Sequence, residues 1–487
     1  MAIRRSDPVP ISLGRGSNKS RFGQEGVASF VNCYVEKLGE GGKIEWPIYA
    51  TNGLAAFATF TNGGAIRGML PLDDRVLVVS GRLLFSTNAD GTPVVQVGGI
   101  PSDGFVTMAR NRRSPNPQVV IVSGGEWFIY EGGTLTQGTD ADLPPPVCVV
   151  EIDGFFVFLI ADGRWFISGV DDTSIDGLDF SEAQFSPDAN VMGAVRGREL
   201  IIFGRESAQF YAANAASADF PFSLIQTASI GCYAAGSVQK IILQPEGGAA
   251  VDSVIWAATD HKGSYIGITV LNGYSANKIS NTEIDTLVRA EPDPSQIRSM
   301  AWTEDEHAFY MISGTSFSMC WDSGTGQWHQ RKSSGLDRHR AQHHAQIGQT
   351  HLFGDYASNK VYRSSSDLFD EVGDPILVEV VTPPVHMSPN SFIVDELHID
   401  ALTGVGVNSA VDADANPQLM LDYSDDGVTF GGQRLIELGA AAQRHVAVKE
   451  TSFGMFDKNG VSFRLSCSAR VVKGFLGAAR VARKLAA

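Results

Sequence analysis

Apolar and polar positions along the chain trace one hairpin about seven times over. Each copy joins an apolar strand to a strand carrying aromatics, through a turn centred on Gly or polar residues. Val78-Val79-Ser80-Gly81-Arg82-Leu83-Leu84-Phe85 is the first clear copy, followed by 121–128 and 158–166. Leu200 to Tyr211, Val254 to Ile268, Phe309 to Trp321 and Leu352 to Tyr362 complete the series. A spacing of roughly 40–55 residues is that of one four-stranded propeller blade. A single such hairpin cannot bury its apolar face, whereas blades packed around an axis can. The pattern therefore predicts an all-β chain whose residues 51–372 form a β-propeller of about six to seven blades. Its first and last blades are open to closure by strands from distant parts of the chain.

Other segments lack this rhythm. Residues 1–50 are broken by Gly14, Gly16, Gly23 and Gly26 before a short strand around Phe30 to Val35. They read as an N-terminal arm that closes onto another part of the fold or onto a neighbouring subunit. Beyond Asp374-Pro375, alternation returns in Ile376 to Val381, Phe392 to Ile399, Gln418 to Tyr423 and Ser462 to Ser466. These strands predict a small β-sandwich-like C-terminal domain with a basic tail over 373–487. Gly474 to Ala487, rich in Ala, Arg and Lys, reads as a frayed helix or a tail. Helical periodicity is almost absent, and Arg338 to Gln346 is the one stretch that predicts a short turn of helix. Pro144-Pro145-Pro146 reads as a rigid extended connector between blades.

The sum of charges is −16 over 487 residues, but the charges are segregated. Residues 1–21 carry Arg4, Arg5, Arg15, Lys19 and Arg21 against Asp7, and residues 458–487 carry Lys458, Arg464, Arg470, Lys473, Arg480, Arg483 and Lys484 with no acid. These ends stand at +4 and +7 within the total of −16, so the body between them stands at −27. A body so acidic argues against a surface that grips DNA phosphates. The longest strongly apolar run, Phe155 to Ala161, is too short to span a bilayer, so no membrane insertion is expected. Basic residues at the N-terminus are followed by no apolar segment, so no secretory signal is expected. Cys33, Cys148, Cys232, Cys320 and Cys467 are scattered and form no Cys-x-x-Cys pair, which predicts buried free thiols and neither a disulfide framework nor a zinc site.

Each stretch that hints at chemistry has a plainer reading. Ser424-Asp425-Asp426-Gly427-Val428-Thr429-Phe430 resembles the Asp-box turn of sialidase-type propellers, one residue short of its usual spacing. Its carboxylate, glycine and aromatic are also what a tight hairpin needs. Asp322 to Trp328 reads the same way, at a blade edge. Five histidines, His329, His339, His343, His344 and His351, crowd one region. His339 and His343 have the i, i+4 spacing of a helical zinc pair, but the His-Glu-x-x-His frame is missing and packing is the preferred reading; a structural cation site stays open. Asp171, Asp172, Asp176 and Asp179 lack the register of a calcium loop and read as a solvated turn. Nothing forms a nucleophile elbow, a phosphate loop or a dinucleotide fingerprint. No catalytic, cofactor-binding or metal residue is therefore assigned, and no enzymatic activity or cofactor is expected.

The middle of the chain carries a resemblance. Gly197-Arg198-Glu199-Leu200-Ile201-Ile202-Phe203-Gly204-Arg205-Glu206-Ser207-Ala208-Gln209-Phe210-Tyr211 is followed by Asp219-Phe220-Pro221-Phe222 and Gly231-Cys232. With Asn32-Cys33-Tyr34, Gly53-Leu54, Arg67-Gly68, Ile255-Trp256, Leu271-Asn272-Gly273-Tyr274, Trp328 and Arg331, this order resembles the packaged-DNA stabilisation proteins of short-tailed bacteriophages, which form the tail nozzle or hub. Asn52 stands where the family has Pro, and Tyr211 where it has Trp. The resemblance implies a homo-hexameric ring below the portal and tail adaptor, neighbouring tail fibres, tailspikes or needle. Genomic DNA would pass through the lumen without specific binding. It also implies a place in the virion tail, after assembly in the host bacterial cytoplasm. Around such a ring the acidic body would let DNA slide, and the basic ends would hold neighbouring subunits or the adaptor. Two rival readings are a carbohydrate-binding or glycosidase-type propeller acting on host surface polysaccharide, and a monomeric cytoplasmic scaffold.

Overall fold

The computed structural model describes residues 7–20, 26–38, 44–182, 188–214, 220–243, 249–409 and 412–484. Arg4, Arg5 and Arg21 of the basic N-terminal stretch, and Asp219 of the central motif, lie outside the described residues.

Seven antiparallel sheets form the propeller. Their innermost strands are Ile66–Leu72, Val106–Arg110, Pro146–Ile152, Asn190–Arg196, Gln239–Leu243, Arg298–Glu304 and Ala341–Ile347, and we number blades 1 to 7 in that order. The repeated hairpin of the sequence is the second and third strand of every blade. Phe155–Ile160 shows why that strand is so apolar: all its residues are buried, because blades cover it on both faces. The outer strand Ile175–Glu182 has water on one side and is polar and largely exposed.

Apolar clusters fill each seam between neighbouring blades. Val79, Leu84, Ile121 and Phe128 join blades 1 and 2, and Trp165, Leu200 and Tyr211 join blades 3 and 4. The ring shuts where Ile66, Val78 and Phe85 of blade 1 meet Ala345, Ile347 and Leu352 of blade 7. Blade 7 takes its outer strand, Gly53–Thr59, from the start of the propeller, paired antiparallel with Lys360–Ser365. The first and last segments of the propeller thus share a sheet, and opening the ring requires breaking a strand pair.

The C-terminal module is a sandwich. One sheet holds Cys33–Val35, Ile48–Ala50, Gly474–Lys484, Phe392–Ala401 and Lys449–Phe456, with Val9–Ile11 added to its long last strand. The facing layer holds Val27–Val31, Val378–Val381, Ser462–Cys467, Gln418–Ser424 and Gly431–Glu437. Phe30, Val380, Leu421, Phe463 and Leu465 from the second layer pack on Val35, Ile48, Phe392, Val394 and Phe475 from the first. The N-terminal arm thus closes onto another part of the fold and supplies strands to both layers of the sandwich.

Three local expectations are corrected. Arg338 to Gln346 is not helical: Ala341–Ile347 is the innermost strand of blade 7, and a register shift after Ala341 turns Ala345 and Ile347 toward blade 1. Gly474 to Lys484 is neither a helix nor a tail but a long strand, held by Phe392–Ala401 on one side and Val9–Ile11 on the other. Its backbone hydrogen bonds override the helix preference of its Ala-rich composition. Helical structure is also present where none was expected, in Thr282–Ala290, capped by the Asn281 side chain on the Ile284 amide at 3.1 Å.

Asn32 joins the two modules. It sits at φ +53°, the corner where the arm leaves one sandwich layer for the other, and it is 2% exposed. Its Nδ2 donates to the carbonyls of Lys332 at 2.8 Å and Leu377 at 2.9 Å, and its Oδ1 accepts the Lys332 amide at 2.8 Å. Its own backbone N–H bonds to Gln330 and its carbonyl accepts from Thr51. Asn32→Ala is expected to lower the unfolding free energy by about 3 kcal/mol, through unsatisfied buried groups and a strained left-handed backbone. Asn32→Gly should cost about 1 kcal/mol less, since glycine keeps the backbone conformation; denaturant melts of the three proteins check the order.

Candidate functional site

A dense group of polar and aromatic side chains lies at this junction, between blade 6, blade 7 and the arm. Cys33–Val35 carries Tyr34 into the seam, where its ring meets His307 at 5.0 Å and Phe309 at 5.3 Å, both edge-on. Arg331, buried, lies 4.9 Å over Trp302 and 5.0 Å over Phe309. Its Nε donates to His329 Nε2 at 3.3 Å. Burial, and then the Arg331 charge, drive the His329 pKa well below the ordinary imidazole value, so that nitrogen is a free acceptor. His307 is the opposite case. Burial works against its charge, yet the Asp322 carboxylate at 2.9 Å raises its pKa above the ordinary value.

A second polar brace closes blade 7. Glu371 pairs in register with Leu54 beside the closing strand. Its carboxylate lies 3.2 Å from His339 Nε2 and 2.9 Å from Arg340 Nε, the latter at an angle that fits a charge pair better than a hydrogen bond. Burial alone would raise the Glu371 pKa, but His339 and Arg340 more than offset it and hold it below the usual carboxylate range. Arg340 also reaches Asp374 at 2.8 Å.

The five histidines are therefore spread over separate tasks. His329 supports Arg331, His339 supports Glu371, and His343 faces the axial channel of the propeller with its Nε2 buried and unpartnered. His344 and His351 stack, with Nε2 and Nδ1 3.0 Å apart. The i, i+4 pair of a helical zinc site does not form, because 341–347 is extended and side chains four apart do not share a helical face. Among the described residues no group of three or more His, Cys, Asp or Glu is placed to hold a metal ion.

The acidic turns are turns. Asp426 accepts the Val428 and Thr429 amides at 2.7 and 2.6 Å and the Ser424 hydroxyl at 2.7 Å, and these donors depress its pKa. This Asp-box-like segment sits in the sandwich, between Gln418–Ser424 and Gly431–Glu437, rather than in a blade. Asp322 accepts the Gly324 amide and the Thr325 hydroxyl while holding His307. Asp171 caps the Arg112 amide and Asp172 holds Ser174 in the turn, whereas Asp176, which accepts the Leu178 amide, and Asp179 lie not in a turn but in the outer strand Ile175–Glu182 of blade 3. All five cysteines are free and buried.

Sequence reading singled out Asn32, Tyr34 and Arg331 only through the resemblance, and missed His307, Asp322 and Glu371 as a structural set. One local signal was present: Asn32 is a polar residue inside the apolar run Phe30-Val31-Asn32-Cys33-Tyr34-Val35, as a buried corner requires. The long-range partners gave none.

Comparison with known proteins bears on both modules. A family profile described as "Bacteriophage P22 Gp10, beta-propeller" matches residues 48–368, and one described as "Bacteriophage P22 Gp10, beta-sandwich" matches residues 378–480. No curated protein sequence matches the chain. Among solved structures, the computationally designed Ika8 protein is similar at 12% identity and a TM-score of 0.36, over 63% of this chain and 98% of its own. U3-55K is similar at 9% identity and a TM-score of 0.37, over 64% of this chain and 98% of its own.

Buried neutral histidines set a pH dependence. Burial, followed by neighbouring positive charge, lowers His343 and His344 from 6.5 to about 3. Their unfolded forms bind protons that the native forms refuse, so native stability is full above pH 6.5 and falls as pH drops toward 3. Each should contribute a slope of about 1.4 kcal/mol per pH unit in that window. His344→Gln is expected to flatten the slope by one histidine's share, which urea melts across the pH series will read.

Proposed function

The chain belongs to the bacteriophage P22 Gp10 family, a family of structural phage tail proteins, and on that premise we propose that it is the subunit of a tail-nozzle ring. In this reading the ring closes the tail channel below portal and adaptor, retains packaged DNA and lets it leave at ejection. The observation that carries it is the joining of a closed propeller to a sandwich in family order, with blade 6 and one sandwich layer running as a single sheet through Val27–Val31. A wall that resists the pressure of packaged DNA needs modules that do not hinge, and a shared sheet supplies that stiffness.

Charge supports the same reading. A body at −27 of a total of −16, repeated around a homo-hexamer, gives a lumen that repels phosphates and lets DNA slide. The partners follow as the adaptor and portal above and the fibres, tailspikes or needle around the ring, with subunits assembled in the host cytoplasm. Family membership makes the chain a virion component; a non-enzymatic role is part of the proposal. The carbohydrate-active alternative drew on the hairpin repeats and an Asp-box-like turn; that turn lies in the sandwich with its carboxylate engaged by its own backbone. Among the described residues no helix is long and apolar enough to cross a membrane.

Two measurements test this. Negative-stain microscopy of the purified protein should show six-fold rings, and a monomer under assembly conditions would count against it. Phage lacking the protein should package DNA and then lose it from the particle; particles that keep their DNA would sink the retaining role.

A further inference from the structure

Blade 3 presents an apolar knob to solvent. Its outer strand Ile175–Glu182 pairs through Ile175 with Ser168 and through Phe180 with Phe166. Residues 176–179 therefore stand where the partner strand has Ile167 alone, and they bulge outward. Leu178, within the bulge, is 85% exposed. Blades 2 and 5 show the ordinary case, since their outer strands Thr134–Gln137 and Ser275–Lys278 expose no large apolar side chain. The bulge is fixed in shape: Asp176 accepts the Leu178 amide at 3.0 Å, and the Phe180 ring stacks on Phe166 at 5.4 Å. A Cβ on Gly177 would lie 2.8 Å from the Asp142 carboxyl carbon. Asp176 and Asp179 flank the leucine, both exposed, and among the described residues neither forms an ion pair.

The sandwich offers a matching hollow. A cavity of about 860 Å³, in the size class of binding pockets, opens between the arm and the layer that holds Phe392–Ala401. Ile11, Ile44, Leu476 and Ala478 give it apolar walls. Trp46 also lines it, with the Arg15 guanidinium 4.5 Å over the ring and the indole N–H buried without a partner. Arg15 and Lys449 are exposed on its lining, and among the described residues neither forms an ion pair. Glu45 and Asp400 share the lining, so the cavity is close to neutral in itself.

Charge and topology favour a second copy of this chain as the occupant. Residues 51–372 carry 36 acidic and 21 basic side chains, −15 of the total −16, so the arm and sandwich together stand near zero. Two propeller faces brought together would repel, whereas an acidic knob on a near-neutral cavity with two unpaired cations would not. The sandwich attaches at the seam of blades 6 and 7, and blade 3 lies across the seven-blade ring from that seam. Knob and cavity thus sit at opposite ends of one chain, as a head-to-tail contact requires. We propose that the bulge 176–179 of one subunit inserts Leu178 into the sandwich cavity of the next copy, with Asp176 and Asp179 against Arg15 and Lys449. This contact rests on the ring reading above and specifies which faces meet. A bulged edge interrupts its own ladder, so the joint is one of side-chain insertion and not of a shared sheet.

The test is assembly of the purified full-length protein, read by negative-stain microscopy and sedimentation. Leu178→Asp and, separately, Ala447→Trp, which fills the cavity from an exposed position on its lining, should each raise the concentration needed for rings by about tenfold or more. Both sites are exposed, so each variant should keep the wild-type melting curve. Mixed together, the two should stop at one-to-one pairs, because one intact knob and one intact cavity remain between them. Val95→Asp, on the outer strand of blade 1, should assemble as the wild type does. Rings that form unchanged from both the knob and the cavity variants overturn this contact and leave the ring reading standing. A wild-type chain that forms no rings overturns the ring reading and this contact with it. Leu178→Asp rings that assemble normally but fail to join particles assign the knob to another tail protein, and overturn the contact as well.

Discussion

The buried corner at Asn32, in a left-handed conformation, ties the propeller to the sandwich. A propeller and a sandwich linked only by a covalent connector would reorient freely unless their interface were large and apolar. Here the arm strand lies between blade 6 and the sandwich, and its corner residue bonds to Lys332 on the propeller side and to Leu377 just ahead of the sandwich strand Val378–Val381. Each of those bonds satisfies a backbone group that the junction has removed from water, so losing the side chain exposes several partners at once. Tyr34, two residues on, extends the lock into the seam of blades 6 and 7. The arm therefore determines how the two halves are oriented.

Ring closure is the second constraint, and it depends on the first. Blade 7 is completed by Gly53–Thr59, which leaves the junction shortly after Asn32 and Thr51. The Glu371 brace then pins the strand end from the other side. Circular packing makes every seam a neighbour of the next, so weakness at the closure is felt around the ring. The buried charged braces sit at this closure and at the junction, where the chain is stitched from distant segments, while the seams between consecutive blades are apolar inside and carry ion pairs such as Arg110–Asp73 and Arg198–Asp153 toward the surface.

Legibility in the sequence follows contact range. The second and third strands of each blade were readable because both lie within one short hairpin, and burial on two faces makes them continuously apolar. The Asp turns were readable for the same reason, since Asp426 and Asp172 bond to groups within three residues. Histidines were not: His339 meets Glu371 across the blade 7 closure, His344 stacks on His351 across a hairpin, and the i, i+4 spacing that suggested a metal pair holds only on a helix. The last strand was missed because alanine, arginine and lysine carry a helix preference that only its paired neighbours overrule.

Taken alone, the sequence determined the blade hairpin, its repetition, the two-module order and the segregation of charge, all of which rest on local periodicity and composition. Tertiary structure decided the count of seven blades, because the seventh takes its outer strand from the start of the propeller. It also decided that the arm belongs to both sandwich layers. The physical reason is the same in each case: strand pairing acts across hundreds of residues, and periodicity within a segment carries no record of which distant segment will lie beside it.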